Sequence, residues 1–460
     1  MNDSITLIVL GASGDLAKRK ILPAIYKLVE DKKLTQFALI GAAIDDRMPH
    51  TIMQEAQPFI SSWDNAIAQK IESSLYYQQI DFNKPEDFMK LVQLITSAEK
   101  KHSLSGNRIV YCATSPDFFC SISEQLNKTS IIKTGDTTPY HRIVFEKPFG
   151  SDFKSAAELN ACLKKFFVES QIFRVDHYLS KELVGNIVLI RFANSIFEPL
   201  WNAQFIDSIH VMLSETVGLE GRGEYYDAYG VLKDVVQNHM LQLLALVAME
   251  APHKLSGDSI RVEKSRVLEK VEPITGMLGQ YQGYKQEKGV KPTSQTPTFA
   301  VLELRVKNER WKDVPFYFST GKHLDKKETS ICIKFRNVTC ALEESSLCEP
   351  DYLTIRIAPD SGFSLQLNAK KPGELYQVTP VVLDFCHSCV FPNTPADYET
   401  MLYEIMRGDR SIAVRFDAIE YAWKIIDAFE AMDLPVYEYA QGSKGPEQAL
   451  KWAQDKKIRW

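Results

Sequence analysis

Residues 174–182 read Arg-Val-Asp-His-Tyr-Leu-Ser-Lys-Glu. On a helix, His177 and Lys181 would stand at i and i+4, on one face and about one turn apart. Two cationic donors side by side suit a phosphate or another anion. Asp176 would point elsewhere, where it could orient a separate base. The plainer alternative is a solvated helix start whose charges happen to fall at helical spacing. A second chemistry-bearing residue, His239, sits in an otherwise apolar stretch, 235–247. It is either a satisfied core histidine or, given a carboxylate partner, a base tuned near neutral pH. Asp234 lies one helical turn plus one residue earlier, so α-helical spacing alone does not put both on one face.

Three further groups surround these. Gly11-Ala12-Ser13-Gly14-Asp15-Leu16-Ala17 follows the apolar run 5–10. A strand, glycine turn and helix in that order bring backbone N–H groups against a pyrophosphate, although glycines alone also suit a plain βα turn. Gly11 permits the tight turn, Gly14 close approach and Ala17 close helix packing. The second apolar run, 37–40, leads to Ile44-Asp45-Asp46-Arg47. An acid there hydrogen-bonds a free ribose hydroxyl and repels a 2′-phosphate, or else caps the next element. Lys147, in Glu146-Lys147-Pro148-Phe149-Gly150, follows the run 143–145, at the strand end where parallel sheets bind ligands. Pro148 favours an extended Lys147. Lys322 closes Ser319-Thr320-Gly321-Lys322, which by itself reads as a solvated loop.

The elements that must position these groups divide in two. In the first part, short apolar runs at 5–10, 37–40, 109–112 and 143–145 alternate with amphipathic stretches at 16–28, 88–98 and 156–167. That alternation predicts a parallel sheet covered by helices. Farther on, 187–192, 206–213, 300–306, 329–335 and 353–357 read as strands with little helix between several of them, which predicts a mixed or antiparallel sheet. Helices are expected at 234–249 and 395–406. The boundary falls near 183, giving domains 1–183 and 184–460.

The 460 residues are 45% hydrophobic and 25% charged with a net charge of −5, an ordinary globular composition without a nucleic-acid footprint. No apolar run reaches the roughly 18 residues of a membrane helix, and residues 5–10 do not read as a signal peptide. The eight cysteines show no dense pairing pattern, so a reducing cytoplasm is the expected home. Cys386-His387-Ser388-Cys389 is only half a zinc site, and Cys332, Cys340 and Cys348 recur every eight residues; these cysteines read as buried or incidental, and no metal is expected.

Taken together, the motifs resemble the glucose-6-phosphate dehydrogenase family. Residues 174–182 resemble its Arg-Ile-Asp-His-Tyr-Leu-Gly-Lys-Glu signature, and 146–150 its Glu-Lys-Pro-Phe-Gly. Gln237-Asn238-His239-Met240-Leu241-Gln242 resembles its base-bearing helix, and 310–322 another of its blocks. The resemblance implies an N-terminal Rossmann-like dinucleotide-binding α/β domain and a C-terminal α+β domain with a large, mainly antiparallel sheet. It implies oxidation of glucose 6-phosphate at C1 by a cytoplasmic homodimer or homotetramer. His239 would be the base and Asp176 its partner. Lys147, His177, Tyr178, Lys181, Glu215, Asp234 and Lys322 would bind substrate. Gly11, Ala12, Ser13, Gly14, Asp15, Leu16, Lys147, Asp45 and Arg47 would bind coenzyme. NADP is the family default. NAD or dual use is also expected here, because Ile44 replaces the usual arginine and Asp45 and Asp46 follow it. Other departures are Ser180 for glycine, Ala203, Lys233 and Ser319 for arginines, Pro297 for a glutamate, and a shortened region around 279–283; they leave a second, structural NADP site open. Two alternatives stay open: a dehydrogenase of another sugar phosphate, and a non-catalytic sugar-phosphate-binding paralogue.

Overall fold

A computed structural model describes residues 4–136, 138–337, 348–374 and 377–459. The chain divides into two units. The first comprises Met1–Ser180 with two returning segments, Ser256–Arg261 and Pro395–Phe416; the second comprises Lys181–Leu255, Val262–Thr394 and Asp417–Trp460.

The first unit is built on β1 (Ile5–Leu10), β2 (Phe37–Ala43), β3 (Leu75–Gln79), β4 (Asn107–Cys112), β5 (His141–Phe145) and β6 (Ile172–Arg174). They form one all-parallel sheet in the order β3-β2-β1-β4-β5-β6. The apolar runs are continuous because the central strands are buried on both faces. In β1, Ile5, Leu7 and Val9 enter one core cluster while Ile8 and Leu10 enter the other. Strand order reverses between β1 and β4, and the loops leaving those two strands flank the crevice where such sheets take ligands. The returning segment carries the helix Asp397–Arg407, whose Met401, Leu402 and Ile405 complete the first cluster.

The second unit holds β7 (Ile206–Ser214), β8 (Val271–Tyr281), β9 (Phe299–Val306), β10 (Pro315–Gly321), β11 (Glu328–Phe335), β12 (Tyr352–Ala358), β13 (Gly362–Lys370), β14 (Val378–Cys386) and β15 (Val436–Tyr439). Their order is β14-β13-β12-β11-β7-β10-β9-β8-β15, antiparallel except for the β7/β10 and β8/β15 pairs. The helix Leu241–Ala248 is buried along its whole length.

Two expected elements differ. Residues 187–192 lie in a helix, Glu182–Phe192, rather than a strand. A short apolar run buried on all sides carries no period that separates the two. Arg191 is buried in that helix, paired to Glu198 at 2.7 Å and donating to the carbonyls of Val247 and Met249. Residues 174–182 are not one helix either. Arg174 ends β6, His177–Ser180 is a single 3-10 turn, and Lys181 is extended (φ −67°, ψ 131°) before the next helix. Asp176 causes the break: its Oδ1 accepts the Tyr178 amide at 2.9 Å and its carbonyl that of Leu179 at 2.9 Å. Of the cysteines, Cys120 pairs with Cys162 and Cys386 with Cys389 as disulfides, while Cys340 lies outside the described residues.

Each unit buries a histidine whose surroundings oppose its charge. Burial, with Arg108 and Lys133 nearby, lowers His141 to about 4; its Nδ1 accepts the Lys133 amide at 2.8 Å. Burial likewise lowers His210 to about 4, and its Nε2 lies 2.7 Å from the Ser319 hydroxyl. Unfolded imidazole titrates near 6.5, so between those two pH values the unfolded chain binds the extra proton. Stability is therefore full above about 6.5 and declines as pH falls towards 4, by at most about 3 kcal/mol per histidine. His210→Asn removes one such contribution. The stability advantage of wild type over this variant, measured by urea unfolding, should shrink between pH 7.5 and pH 4.5; a constant difference would show that His210 is not held neutral.

Candidate active site

The glycine turn leaves β1 at the crevice. Gly11 has φ +88°, and a Cβ there would meet the Ala113 carbonyl oxygen at 2.4 Å. Only glycine fits, because the chain leaving β4 passes against the turn. Gly14 differs: a Cβ would meet only the Gly11 oxygen at 3.1 Å, with nothing else within 4 Å. Its position is open, as close approach of a ligand requires. The following helix is π-helical over Ala17–Ile21 and α-helical over Leu22–Glu30. Thr114, directly after Ala113, has a hydroxyl with no hydrogen-bond partner among the described residues. An open cradle of turn amides beside an unpartnered hydroxyl fits a dinucleotide pyrophosphate, and nothing in the sequence singled out Thr114.

Past β2, Ile44 is exposed, and the Tyr77 hydroxyl donates to the Asp45 carbonyl at 2.8 Å. Arg47 is engaged by acids: it donates to Glu55 at 2.6 Å and lies 3.8 Å from the Asp45 carboxylate.

Lys147 and the 174–182 run leave the C-terminal ends of β5 and β6, which pair in parallel with Phe145 opposite Arg174. The Lys147–Pro148 peptide bond is cis. Glu146 accepts hydrogen bonds from Tyr111 (2.5 Å) and Tyr398 (3.1 Å). Burial pushes its carboxyl up, against the two tyrosine hydroxyls. The Tyr398 ring stacks on His177 (6.3 Å, 21°), and Tyr178 meets the same imidazole edge-on at 5.0 Å. Tyr398 thus ties the Lys147 motif to the His177 motif, although 221 residues separate it from His177 in the chain. Arg174 does different work: it is buried against Glu169 at 2.8 Å, and Arg261 shares that carboxylate at 2.9 Å. Ser180 is buried, and its hydroxyl has no partner among the described residues.

In the second unit, Glu215 follows β7 and Lys322 follows β10. Those strands are parallel with Ser214 opposite Gly321, so the two side chains emerge together, 2.6 Å apart. Lys322 is 2% exposed, and its ammonium lies 5.1 Å from the centre of the Tyr226 ring. Burial raises the Tyr226 phenol well above its usual range, and the Asp234 and Glu215 charges add to this. Tyr226 was not evident from sequence. The segment Leu232–Met240 is π-helical, with Asn238 Nδ2 donating to the carbonyls of Lys233 (3.2 Å) and Asp234 (3.0 Å). A π-helix bonds i to i+5, so Asp234 and His239, both buried, come onto one face. The departure at Ser319 also has a partner here, the buried His210.

Two sequence-family models match this chain: the glucose-6-phosphate dehydrogenase NAD binding domain over residues 8–186 and the glucose-6-phosphate dehydrogenase C-terminal domain over 188–460. The chain belongs to the glucose-6-phosphate dehydrogenase family. It is 36% identical over 469 residues to the glucose-6-phosphate 1-dehydrogenase of Bacillus subtilis (strain 168), covering 96% of this chain and 95% of that one. The Streptococcus pneumoniae enzyme is 34% identical over 487 residues, covering 100% and 97%. Among solved structures, a glucose-6-phosphate dehydrogenase in complex with its substrate glucose-6-phosphate superposes with a TM-score of 0.93 at 31% identity, covering 100% of this chain and 99% of that one.

Substitutions at Gly11 and Gly14 should separate fold from binding. Gly14→Ala should leave the unfolding midpoint within about 3 °C of wild type yet weaken dinucleotide binding about tenfold or more by calorimetry, whereas Gly11→Ala should lose both. Unchanged affinity in Gly14→Ala would place the pyrophosphate elsewhere.

Proposed function

We propose that this chain oxidises glucose 6-phosphate at C1 to 6-phosphogluconolactone, the entry step of the oxidative pentose phosphate route. The observation that carries the reading is a buried imidazole, His239, held on a π-helical face with Asp234 in the unit where Glu215 meets Lys322. A proton acceptor beside groups that can satisfy several hydroxyls is what oxidation of a sugar at C1 requires.

In this mechanism, His239 takes the proton of the anomeric hydroxyl. Asp176 accepts a hydrogen bond from the imidazole, fixes its tautomer and stabilises its cation. His177, Tyr178 and Lys181 hold the 6-phosphate, and Lys147, Glu215, Asp234 and Lys322 hold the sugar. Anchoring the phosphate far from C1 commits the reacting carbon to one position, so remote binding contributes to rate. The bound nicotinamide coenzyme supplies the hydride acceptor. Residues Gly11 to Leu16 hold its pyrophosphate, with Lys147, Asp45 and Arg47 completing its contacts. The resemblance extends to a homodimer or homotetramer working in the cytoplasm.

His239→Asn should lower kcat by at least about a thousandfold while KM for glucose 6-phosphate changes less than threefold. An unchanged kcat would remove His239 as the base, and equal rates on other hexose phosphates would overturn the substrate assignment.

For the coenzyme, we propose NAD or dual use. Ile44 offers no charge to a 2′-phosphate, Asp45 and Asp46 repel one, and Arg47 is drawn to Glu55. The ratio of kcat/KM for NADP over NAD should lie near or below one, and Ile44→Arg should raise it about tenfold or more. A strong NADP preference in the wild type would sink this reading.

A further inference from the structure

The pair Cys386 and Cys389 lies outside every group assigned above. Cys386 ends β14, the edge strand of the large sheet, and His387–Val390 forms a short turn of helix behind it. The two cysteines are joined as a disulfide three residues apart. Cys389 is exposed and Cys386 half-buried. The Cys389 amide donates to Cys386 Sγ at 3.2 Å, and the Ser388 hydroxyl lies 3.5 Å from the same sulfur.

We propose that Cys386–Cys389 is an exchange-active disulfide, a redox site that small thiols open on the folded protein. An external thiolate attacks Cys389 Sγ, the more accessible sulfur. The S–S bond breaks and its electron pair leaves on Cys386, whose thiolate keeps the Cys389 N–H and the Ser388 hydroxyl beside it. A second thiol then attacks the mixed disulfide on its external sulfur, releasing the Cys389 thiolate. Two thiols become one external disulfide while the protein disulfide gains two electrons and two protons.

The site opens without unfolding because the turn is held by other means. His387 is 5% exposed, with Phe385 at 6.3 Å and Phe391 at 5.0 Å from its ring. Its amide donates to the Ser361 carbonyl at 2.8 Å, and the Phe391 amide donates to the His387 carbonyl at 2.8 Å. None of these contacts passes through sulfur. The disulfide also closes almost no loop, so little of the fold's stability depends on it. Cys120–Cys162 is the contrasting case: it bridges the helices Phe119–Lys128 and Phe153–Leu163, 42 residues apart, with both cysteines half-buried.

The test equilibrates the folded protein with glutathione, a monothiol, over a range of reduced to oxidised ratios. Acid quenching, alkylation and peptide mass spectrometry then read each pair. Cys386–Cys389 should reach half-reduction under conditions at least about tenfold more oxidising than Cys120–Cys162 requires, with the circular dichroism spectrum unchanged. In Cys386→Ser, the glutathione adduct should accumulate on Cys389. Joint reduction of the two pairs, reduction only where the fold is lost, or free thiols at 386 and 389 throughout the oxidising range would each overturn the proposal.

Discussion

Parallel strands that end in register are the constraint on which both units depend. A buried parallel strand must pair its main chain with both neighbours, so it tolerates little but apolar side chains until it leaves the sheet. The first residues beyond the end are the first that can be polar. When neighbouring strands stop together, those residues arrive side by side. Leu10 opposes Cys112, which sets Gly11 against Ala113. Phe145 opposes Arg174, which places Lys147 and Asp176 just past two adjacent strand ends. Ser214 opposes Gly321, which joins Glu215 to Lys322. The β7/β10 pair matters most here, because a parallel pair inside a mostly antiparallel sheet is what turns two distant segments the same way.

The charges placed at those ends are costly to bury, and each is compensated by a specific neighbour. Lys322 keeps its ammonium 2% exposed because Glu215 and the face of Tyr226 replace the water it lost. Glu146 has two phenol donors, and burial pushes its carboxyl up against them. A buried polar pair of this kind contributes less to stability than an apolar filling would, because desolvation offsets most of the attraction. What it fixes is orientation: a lysine with one carboxylate partner has one resting direction. The surface ion pairs, such as Lys90 with Asp87, are worth little in either sense.

The central strands of the first unit were legible in the sequence because burial on both faces erases polar residues. The glycine turn was legible because Gly11 and Gly14 answer to two different steric demands. Where sequence and structure part, the causes are local and differ. A helix buried all round and a buried strand present the same apolar run, so 187–192 carried no distinguishing period. The single turn at His177–Ser180 follows from Asp176, one of whose carboxylate oxygens accepts the Tyr178 amide two residues on. In the π-helical stretch the Asn238 side chain reaches two carbonyls, and an i, i+5 relation looks like a mismatch when counted at 3.6 residues per turn. Tyr398 and Tyr226 act through contacts made across long stretches of chain, which no local pattern encodes.

The second strand's exit separates what the geometry of a dinucleotide site fixes from what it leaves open. Strand, turn and helix keep the geometry of a dinucleotide site, which is fixed by sheet order and by Gly11. Coenzyme choice is fixed by nothing in that geometry. In the reading proposed above it rests on exposed side chains after β2, where Ile44 is 66% exposed and replaces the charge expected there. Arg47 is close enough in sequence to stand in, yet a 2′-phosphate would have to draw it from Glu55 while facing Asp45 and Asp46. Exposed ion pairs are weak, so the arginine can move. In that reading the two aspartates are the lasting obstacle, because their repulsion of a dianion does not depend on where Arg47 points. The fold therefore constrains that a dinucleotide binds, while the proposed NAD or dual use rests on three exposed residues, Ile44, Asp45 and Asp46.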